Sequence, residues 1–210
     1  MNAVILAAGF GRRLLPLTAD TPKALLKVKG KNLIDYHIEK LSDANLNKIV
    51  INTHYLSDQI ERHVQEKYKK LDILFSREDE LLGTGGGLKK ASELLNDEPI
   101  LVVNADNFIE SDYKEFVKDI SPKLFVTEDK NGDFSVENGI VRVNEKKDFR
   151  FVGVSIILKR EISDVELTKF HYWRDYLKIK ASTEELHAEI INFNCYDVGT
   201  LESFKKINNE

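Results

Sequence analysis

AVILAAGFGRRLLPLTADTPK, residues 3 to 23, decides how the rest of this chain is read. Its first six residues, AVILAA, form a continuous apolar run, as a strand does when neither of its faces meets water. Gly9 closes the run, so residues 3 to 8 are expected to be a central parallel strand. The segment from Gly9 onward then lies beyond the carboxyl end of a strand, where open α/β sheets bind ligands. Gly9 and Gly11 allow the backbone to approach anionic oxygens and present N–H groups to them, while Arg12, Arg13 and Lys23 supply positive charge. From residue 12 to residue 31, Arg12, Arg13, Lys23, Lys27, Lys29 and Lys31 stand against Asp20 alone. The expectation is a triphosphate-binding loop; the plainer alternative is a solvated basic loop.

Working outward, apolar spacing predicts a helix over LIDYHIEKLSDA (33 to 44), a buried strand at KIVIN (48 to 52) and a helix opening at Ser57. LDILF (71 to 75) reads as a strand, a helix is expected to start in the glycines at 85 to 87, and ILVVN (100 to 104) reads as another strand. Strands alternating with helices imply an α/β, Rossmann-like doubly wound sheet, mixed but mostly parallel. Beyond Asp112 the pattern changes to strand after strand in KLFVTE, FSVENGIVRV and FRFVGVSIIL, with Asn131-Gly132 and Asn138-Gly139 marking turns. This reads as a β-rich segment carried on the same sheet. A helix around Phe170 to Lys178, a short strand near Phe193 and a terminal helix from Leu201 complete it. Without repeats or a Pro/Gly/Ser linker, residues 1–210 are expected to form one domain, with halves at 1–112 and 113–210.

The chain has 210 residues, 42% of them apolar, enough for one large core. A net charge of -4 provides no overall positive field for a polyanion, so nucleic acid is not expected as a partner. One cysteine, Cys195, cannot form an internal disulfide, and the five histidines lack metal-ligand spacing, which fits a reducing cytoplasm. No apolar run approaches the roughly 20 residues of a membrane span, and no leader is expected.

Spacing separates the phosphate loops. A Walker loop needs GxxxxGK followed by Ser or Thr, and no such string occurs. A dinucleotide fingerprint needs a third glycine where Leu14 stands, and an acidic residue closing the second strand, where this chain has Asn52, Thr53 and His54. There remains a loop with an arginine at its fifth position, then Pro16-Leu17-Thr18 and Pro22-Lys23.

GFGRRLLPLTADTPKALL resembles the GxGxRxxPLTxxxPKxLx segment of sugar-1-phosphate nucleotidyltransferases. VINTHYLSDQIERHV, LLGTGGGLKKA, VVNADN, NGDFSV and YDVGTLESF are similar to the bacterial N-acetylmuramate-1-phosphate uridylyltransferases of that family and to related mannose-1-phosphate guanylyltransferases. Lys27 and Asn32 depart from it, standing where the family often has loop-shaping prolines.

The resemblance implies the nucleotide-diphospho-sugar transferase fold with a β-rich sugar-binding insertion, and transfer of a nucleotidyl group from UTP or GTP to a sugar 1-phosphate with release of pyrophosphate. It implies Arg13 at the β- and γ-phosphates and Lys23 at the reacting phosphates, with Ala8, Gly9, Gly11, Arg12, Thr84, Gly85, Gly86 and Asn104 around the nucleotide. On the residues alone, Asp106 two positions past ILVVN reads more readily as a turn former or helix cap than as a metal ligand, and Thr84 to Gly87 as a flexible helix entry. Magnesium favours one or two carboxylates plus phosphate oxygens. The resemblance places Asp106 and Asp197 together on one Mg²⁺, and Asp133, Gly153 and Asp197 around the sugar. Asp133 reads equally as ordinary turn chemistry. The aromatic face of Phe170, Tyr172, Trp173 and Tyr176 is expected in the core, His63 as a solvated helix residue, and EKKDFRF and ESFKKINNE as solvated faces. A monomer is expected, and the rival from another class is a nucleotide sensor that binds without turnover.

Overall fold

The computed structural model describes residues 1–96 and 99–209. In chain order its elements are β1 (Asn2–Leu6), β2 (Lys27–Val28), β3 (Lys31–Asn32), α1 (Leu33–Asp43), β4 (Ile49–Thr53), α2 (Ser57–Lys67), β5 (Ile73–Arg77), α3 (Gly83–Ser92), β6 (Pro99–Asn104) and β7 (Asn107–Ile109). Then come β8 (Lys123–Glu128), β9 (Ser135–Glu137), β10 (Ile140–Arg142), β11 (Phe149–Leu158), α4 (Lys159–Ser163), α5 (Lys178–Ser182), β12 (Ala188–Ile190), β13 (Cys195–Asp197) and α6 (Leu201–Asn208).

Seven strands form the main sheet in the order β12-β8-β11-β6-β1-β4-β5. All its ladders are parallel except those of β11, which runs antiparallel to both β6 and β8. The doubly wound, mostly parallel reading therefore holds, and the β-rich segment joins the same sheet through β8, β11 and β12. Burial explains the apolar runs. Ala3 and Ile5 of β1 pack with Ile34 and Ile38 of α1 and Ile60 and Val64 of α2, whereas Val4 packs on the other face with Leu88 and Ala91 of α3. A strand covered by helices on both faces cannot alternate apolar with polar residues. Removing one such side chain, as in Ile38→Ala, is expected to cost about 2–5 kcal/mol.

Several boundaries differ from the sequence pattern for local reasons. β1 stops at Leu6 because the next amide, Ala7 N–H, donates to the Asn52 side chain at 2.7 Å, turning Ala7 and Ala8 out of the ladder. The helix expected over 170 to 178 is a π-helical turn, Tyr172–Leu177, continuing into α5. The strand expected near Phe193 lies slightly later, at β13, where it pairs with β7. The short elements β2, β3, β7, α4 and β12 are too brief to leave a periodic signal. Lys27 and Asn32 pair across the β2–β3 ribbon, so hairpin bonding shapes the loop where relatives use prolines. At the β9–β10 turn, Asn138 and Gly139 have φ of 52° and 76°, the left-handed pair a two-residue hairpin loop demands.

β1 lies between β4, its successor on one side, and β6, which arrives after β5 on the opposite side. Chain direction across the sheet thus reverses at β1, and Leu6 and Asn104 end the two strands side by side. This is the crevice in which doubly wound sheets hold ligands.

Candidate active site

The loop after β1 is held rigidly from within. Gly11 has φ +63°, a conformation side chains resist, and a methyl group there would lie 2.9 Å from Thr18 Cγ2 and 3.3 Å from Lys23 Cβ. Thr18, fully buried, donates from its hydroxyl to Gly11 O at 2.8 Å. Leu14, where a dinucleotide loop has its third glycine, is fully buried and anchors the turn Arg12–Leu14. From outside the loop, the Tyr55 hydroxyl donates to Thr18 O and Ala19 O at 3.0 and 2.7 Å. Arg12 is exposed and lies over the Phe10 ring, 5.0 Å from its centroid, while Gly9 opens directly to solvent.

A cavity of about 200 Å³ opens at the crevice, lined by Leu6, Ala7, Ala8 and Gly9 from the loop, Asn104 to Asp106 from β6, and Leu81, Gly83 and Thr84 before α3. Asn52 supports this wall from behind. Buried at the end of β4, it accepts from Ala7 N–H and donates to Glu78 Oε1 at 2.7 Å, and Glu78 Oε2 accepts from Leu82 N–H at 2.9 Å. One continuous polar chain thus fixes the loop after β1 relative to the entry of α3. Where a dinucleotide enzyme places an acid for ribose, this protein uses an amide for scaffolding.

Gly85 and Gly86 are placed differently from what the resemblance implies. Their N–H groups both donate to Phe170 O, at 3.0 and 3.2 Å, and the Phe170 ring packs against Gly85. The first turn of a helix leaves N–H groups without internal partners, and here a carbonyl of the 168–172 segment takes two of them. Gly83 and Thr84, not Gly85 and Gly86, face the cavity, with Thr84 Oγ1 accepting from Tyr172 N–H at 3.0 Å.

At the far side of this cavity Lys23 Nζ meets Asp106 Oδ2 at 2.7 Å, the lysine side chain largely buried and the aspartate partly open to solvent. Asp106 comes beside Asp197 through the β7–β13 ribbon, in which Asp197 pairs with Asn107 and Val198 N–H donates to Asp106 O at 2.9 Å. Partial desolvation and then the Asp106 charge push the Asp197 carboxyl above its ordinary value, against the pull of Lys23 and Arg13. A methyl group on Gly199 would lie 2.7 Å from Asp197 Oδ1 and 2.8 Å from Arg13 Nη2, so carboxylate and guanidinium flank the same glycine. Arg13 and Lys23 from the loop after β1, Asp106 after β6 and Asp197 of β13 therefore gather at one place.

A second cavity, about 280 Å³, begins where the first ends: Asn104 and Asp106 line both. Its walls include the expected Asp133, Gly153 and Asp197, together with Asn107, Phe134, Arg150, Phe151, Trp173 and Cys195. Gly153 has φ +76°, at an irregularity of β11, and a side chain there would run into the Asn107 amide. Trp173, half-buried, stacks on Phe134 with centroids 5.1 Å apart and forms one wall, whereas Phe170 and Tyr172 are buried in the core as expected. The Cys195 thiol, pushed up to about 12 by burial, is no nucleophile at neutral pH.

Two expectations about solvated residues are corrected. His63 is not free in solvent, since its Nε2 lies 2.8 Å from Asp35 Oδ1, in a cluster where Lys67 and Tyr68 also bond that buried carboxylate. EKKDFRF is solvated only in part: Phe149 is buried and Arg150 lines the second cavity. Arg150, Trp173 and Asn107 escape sequence reading because nothing local distinguishes them from ordinary strand, helix and turn residues.

Among the described residues no group of three or more acidic, histidine or cysteine side chains converges as a metal cage. The Asp106–Asp197 pair still fits a magnesium ion. Two neighbouring carboxylates, one raised by desolvation and then by the other's charge, are what a divalent cation relieves, and Mg²⁺ takes its remaining ligands from phosphates and water. No helix among the described residues is long and apolar enough to cross a membrane.

A family model described as nucleotidyl transferase matches residues 2–155. N-acetylmuramate alpha-1-phosphate uridylyltransferase of Neisseria meningitidis is 37% identical over 182 residues, covering 79% of each chain. The enzyme of the same name from Caulobacter vibrioides is 40% identical over 109 residues, covering 50% of this chain and 45% of that protein, so this match spans less than half of the relative's length. HddC from Yersinia pseudotuberculosis, solved in complex with GMP-PN, superposes with a TM-score of 0.82 at 26% identity, over 99% of this chain and 98% of that one. With the family model covering residues 2–155, well over half of the chain, the chain belongs to the nucleotidyl transferase family.

Proposed function

We propose that this protein transfers a nucleotidyl group from a nucleoside triphosphate to a sugar 1-phosphate and releases pyrophosphate. One observation carries the reading: two cavities meet at Asn104 and Asp106, with Lys23, Arg13 and Asp197 gathered at the junction. A nucleotide in the first cavity and a sugar in the second bring the α-phosphorus and the attacking phosphate oxygen to that junction. The residues 1–112 then serve as the nucleotide half and 113–210 as the sugar half.

Both reactants are anions, so the protein's work is to hold them in line and offset their repulsion. Lys23 exchanges its Asp106 partner for the α-phosphate and sugar phosphate oxygens, and Arg13 holds the β- and γ-phosphates as they depart. Asp106 and Asp197 would hold Mg²⁺, which supplies electrostatic neutralisation of the reacting phosphates. A phosphate dianion is already nucleophilic and needs no general base. Backbone amides of Ala8, Gly9 and Gly11 face the phosphates, Leu81, Gly83 and Thr84 the base, and Asp133 and Asn107 the sugar hydroxyls.

UTP with N-acetylmuramate 1-phosphate is the substrate pair supported by the Neisseria and Caulobacter relatives. GTP with mannose 1-phosphate is the second reading, favoured by the guanine-nucleotide analogue bound to the superposable HddC. Pyrophosphate release measured across four nucleoside triphosphates and several sugar 1-phosphates decides between them. Tight triphosphate binding by calorimetry, with background release for every pairing, makes the protein a nucleotide sensor and defeats the transferase reading.

A further inference from the structure

We propose that Arg150 makes the second cavity selective for sugar 1-phosphates that carry a carboxylate on the sugar. This rests on the transferase reading and specifies the substrate class of its acceptor.

The charged residues lining the cavity are three carboxylates, Asp106, Asp133 and Asp197, and one cation, Arg150. Three acids and the amides of Asn104 and Asn107 already suit neutral hydroxyls, which need acceptors and modest donors. A guanidinium in their midst has a different use. The sugar's phosphate end belongs at the junction with Lys23, paired there with Asp106 at 2.7 Å. Arg150 comes from β11, on the wall shared with Phe151 and Gly153; its Nη1 lies 3.2 Å from Asp129 Oδ2, and its charge also acts on Asp197. Asp129 is itself fixed, because its Oδ1 accepts from Asn131 N–H at 2.9 Å. The aspartate pairs with one nitrogen of the fork, and a guanidinium has further donors in Nε and Nη2 with which to meet a bidentate carboxylate.

The same cavity contains its own reporter. Trp173 is the only tryptophan of the chain and stands in the cavity wall, so intrinsic fluorescence reads sugar binding without any turnover.

The test compares the wild type with Arg150→Gln and Arg150→Lys on two matched pairs of acceptors. N-acetylmuramate 1-phosphate and N-acetylglucosamine 1-phosphate differ by a lactyl carboxylate; glucuronate 1-phosphate and glucose 1-phosphate place the carboxylate at C6. In the wild type the acid member of one pair is the better substrate, and which pair responds identifies where the carboxylate sits. Arg150→Gln is expected to lower the acid-to-neutral ratio of kcat/KM by about 10- to 100-fold, mostly through KM, with Arg150→Lys between the two. Equal losses on acid and neutral members, or a wild type indifferent to the carboxylate, overturn the proposal while leaving the transferase reading intact. If no pairing releases pyrophosphate, Trp173 titrations with N-acetylmuramate and N-acetylglucosamine still decide it: an acid preference lost in Arg150→Gln supports selectivity, and equal affinities sink it.

Discussion

The two cavities share a boundary at Asp106 but are built differently. The first draws on short consecutive runs rich in alanine and glycine: residues 6 to 9, 81 to 84 and 104 to 106 supply most of its wall. The second is made of side chains from β7, the Asp133 turn, β11, the π-helical turn and β13. Phosphates are common to all nucleotides and can be held by N–H groups of any residue, so the first wall needs conformation more than chemistry. Sugars differ in their substituents, and only side chains can tell them apart. Reaction class should therefore reside in the first region and acceptor choice in the second.

The sharpest way to break this comparison is at the junction. Lys23→Ala and Asp106→Ala are each expected to lower kcat by on the order of 10²-fold or more, as loss of preorganised charge does at other reacting centres. Near-normal pyrophosphate release in either variant would remove both residues from the chemistry.

Next in size is the scaffold of the first cavity. Asn52→Ala leaves the Ala7 N–H and the buried Glu78 carboxylate without a shared partner, and chemical denaturation should show a loss of about 3 kcal/mol. An unchanged unfolding midpoint would mean that the loop is held by Thr18 and Tyr55 alone.

Acid should loosen the underside of the junction by a similar amount. His37 is fully buried against Tyr113, 2.6 Å from its hydroxyl, and burial, then Lys40, lowers its pKa to about 4. A histidine depressed in the fold is protonated first in the unfolded chain. Its contribution is thus whole above the ordinary value near 6.5 and is lost as pH falls through 4, on the order of 3 kcal/mol in total. Thermal melts of the wild type and His37→Gln between pH 7 and pH 4 should converge; parallel curves would place the acid sensitivity elsewhere.

Substitution at Gly11 and Gly153, both left-handed, separates the cavities themselves. Gly11→Ala should raise KM for the triphosphate and Gly153→Ala KM for the sugar 1-phosphate, each by roughly tenfold, since strain of about 1–3 kcal/mol falls on one wall only. Effects on the same substrate in both variants would contradict the division. Smallest of all is Arg12→Ala: the side chain lies over Phe10 in solvent, and a change in kcat/KM of more than about threefold would restore it to the site.

Much of this architecture is legible in the residues alone. AVILAA, KIVIN and ILVVN announce strands covered on both faces because their apolar runs are unbroken, and Gly11, Arg13 and Lys23 stand in a spacing that other phosphate loops do not share. At the glycines 85 and 86, composition cannot say where an N–H group points; in the fold both donate to the Phe170 carbonyl. Asn52 reads as a missing acid and proves to be a brace. His63 reads as solvated because its partner, Asp35, lies on another helix.

The amino-acid order is thus sufficient for the strands buried on both faces, the loop after β1 and the identity of its charged residues. Each of these is written in neighbouring residues and enforced by local sterics and hydrophobic period. It takes the folded sheet to set Asp197 beside Asp106, to clear space at Gly153 next to Asn107, and to bring Arg150 and Trp173 into a cavity with them. Those meetings depend on the pairing of β13 with β7 and on the irregularity in β11. Long-range pairings of this kind are selected by the packing of the whole sheet, and no short window of sequence carries their energy.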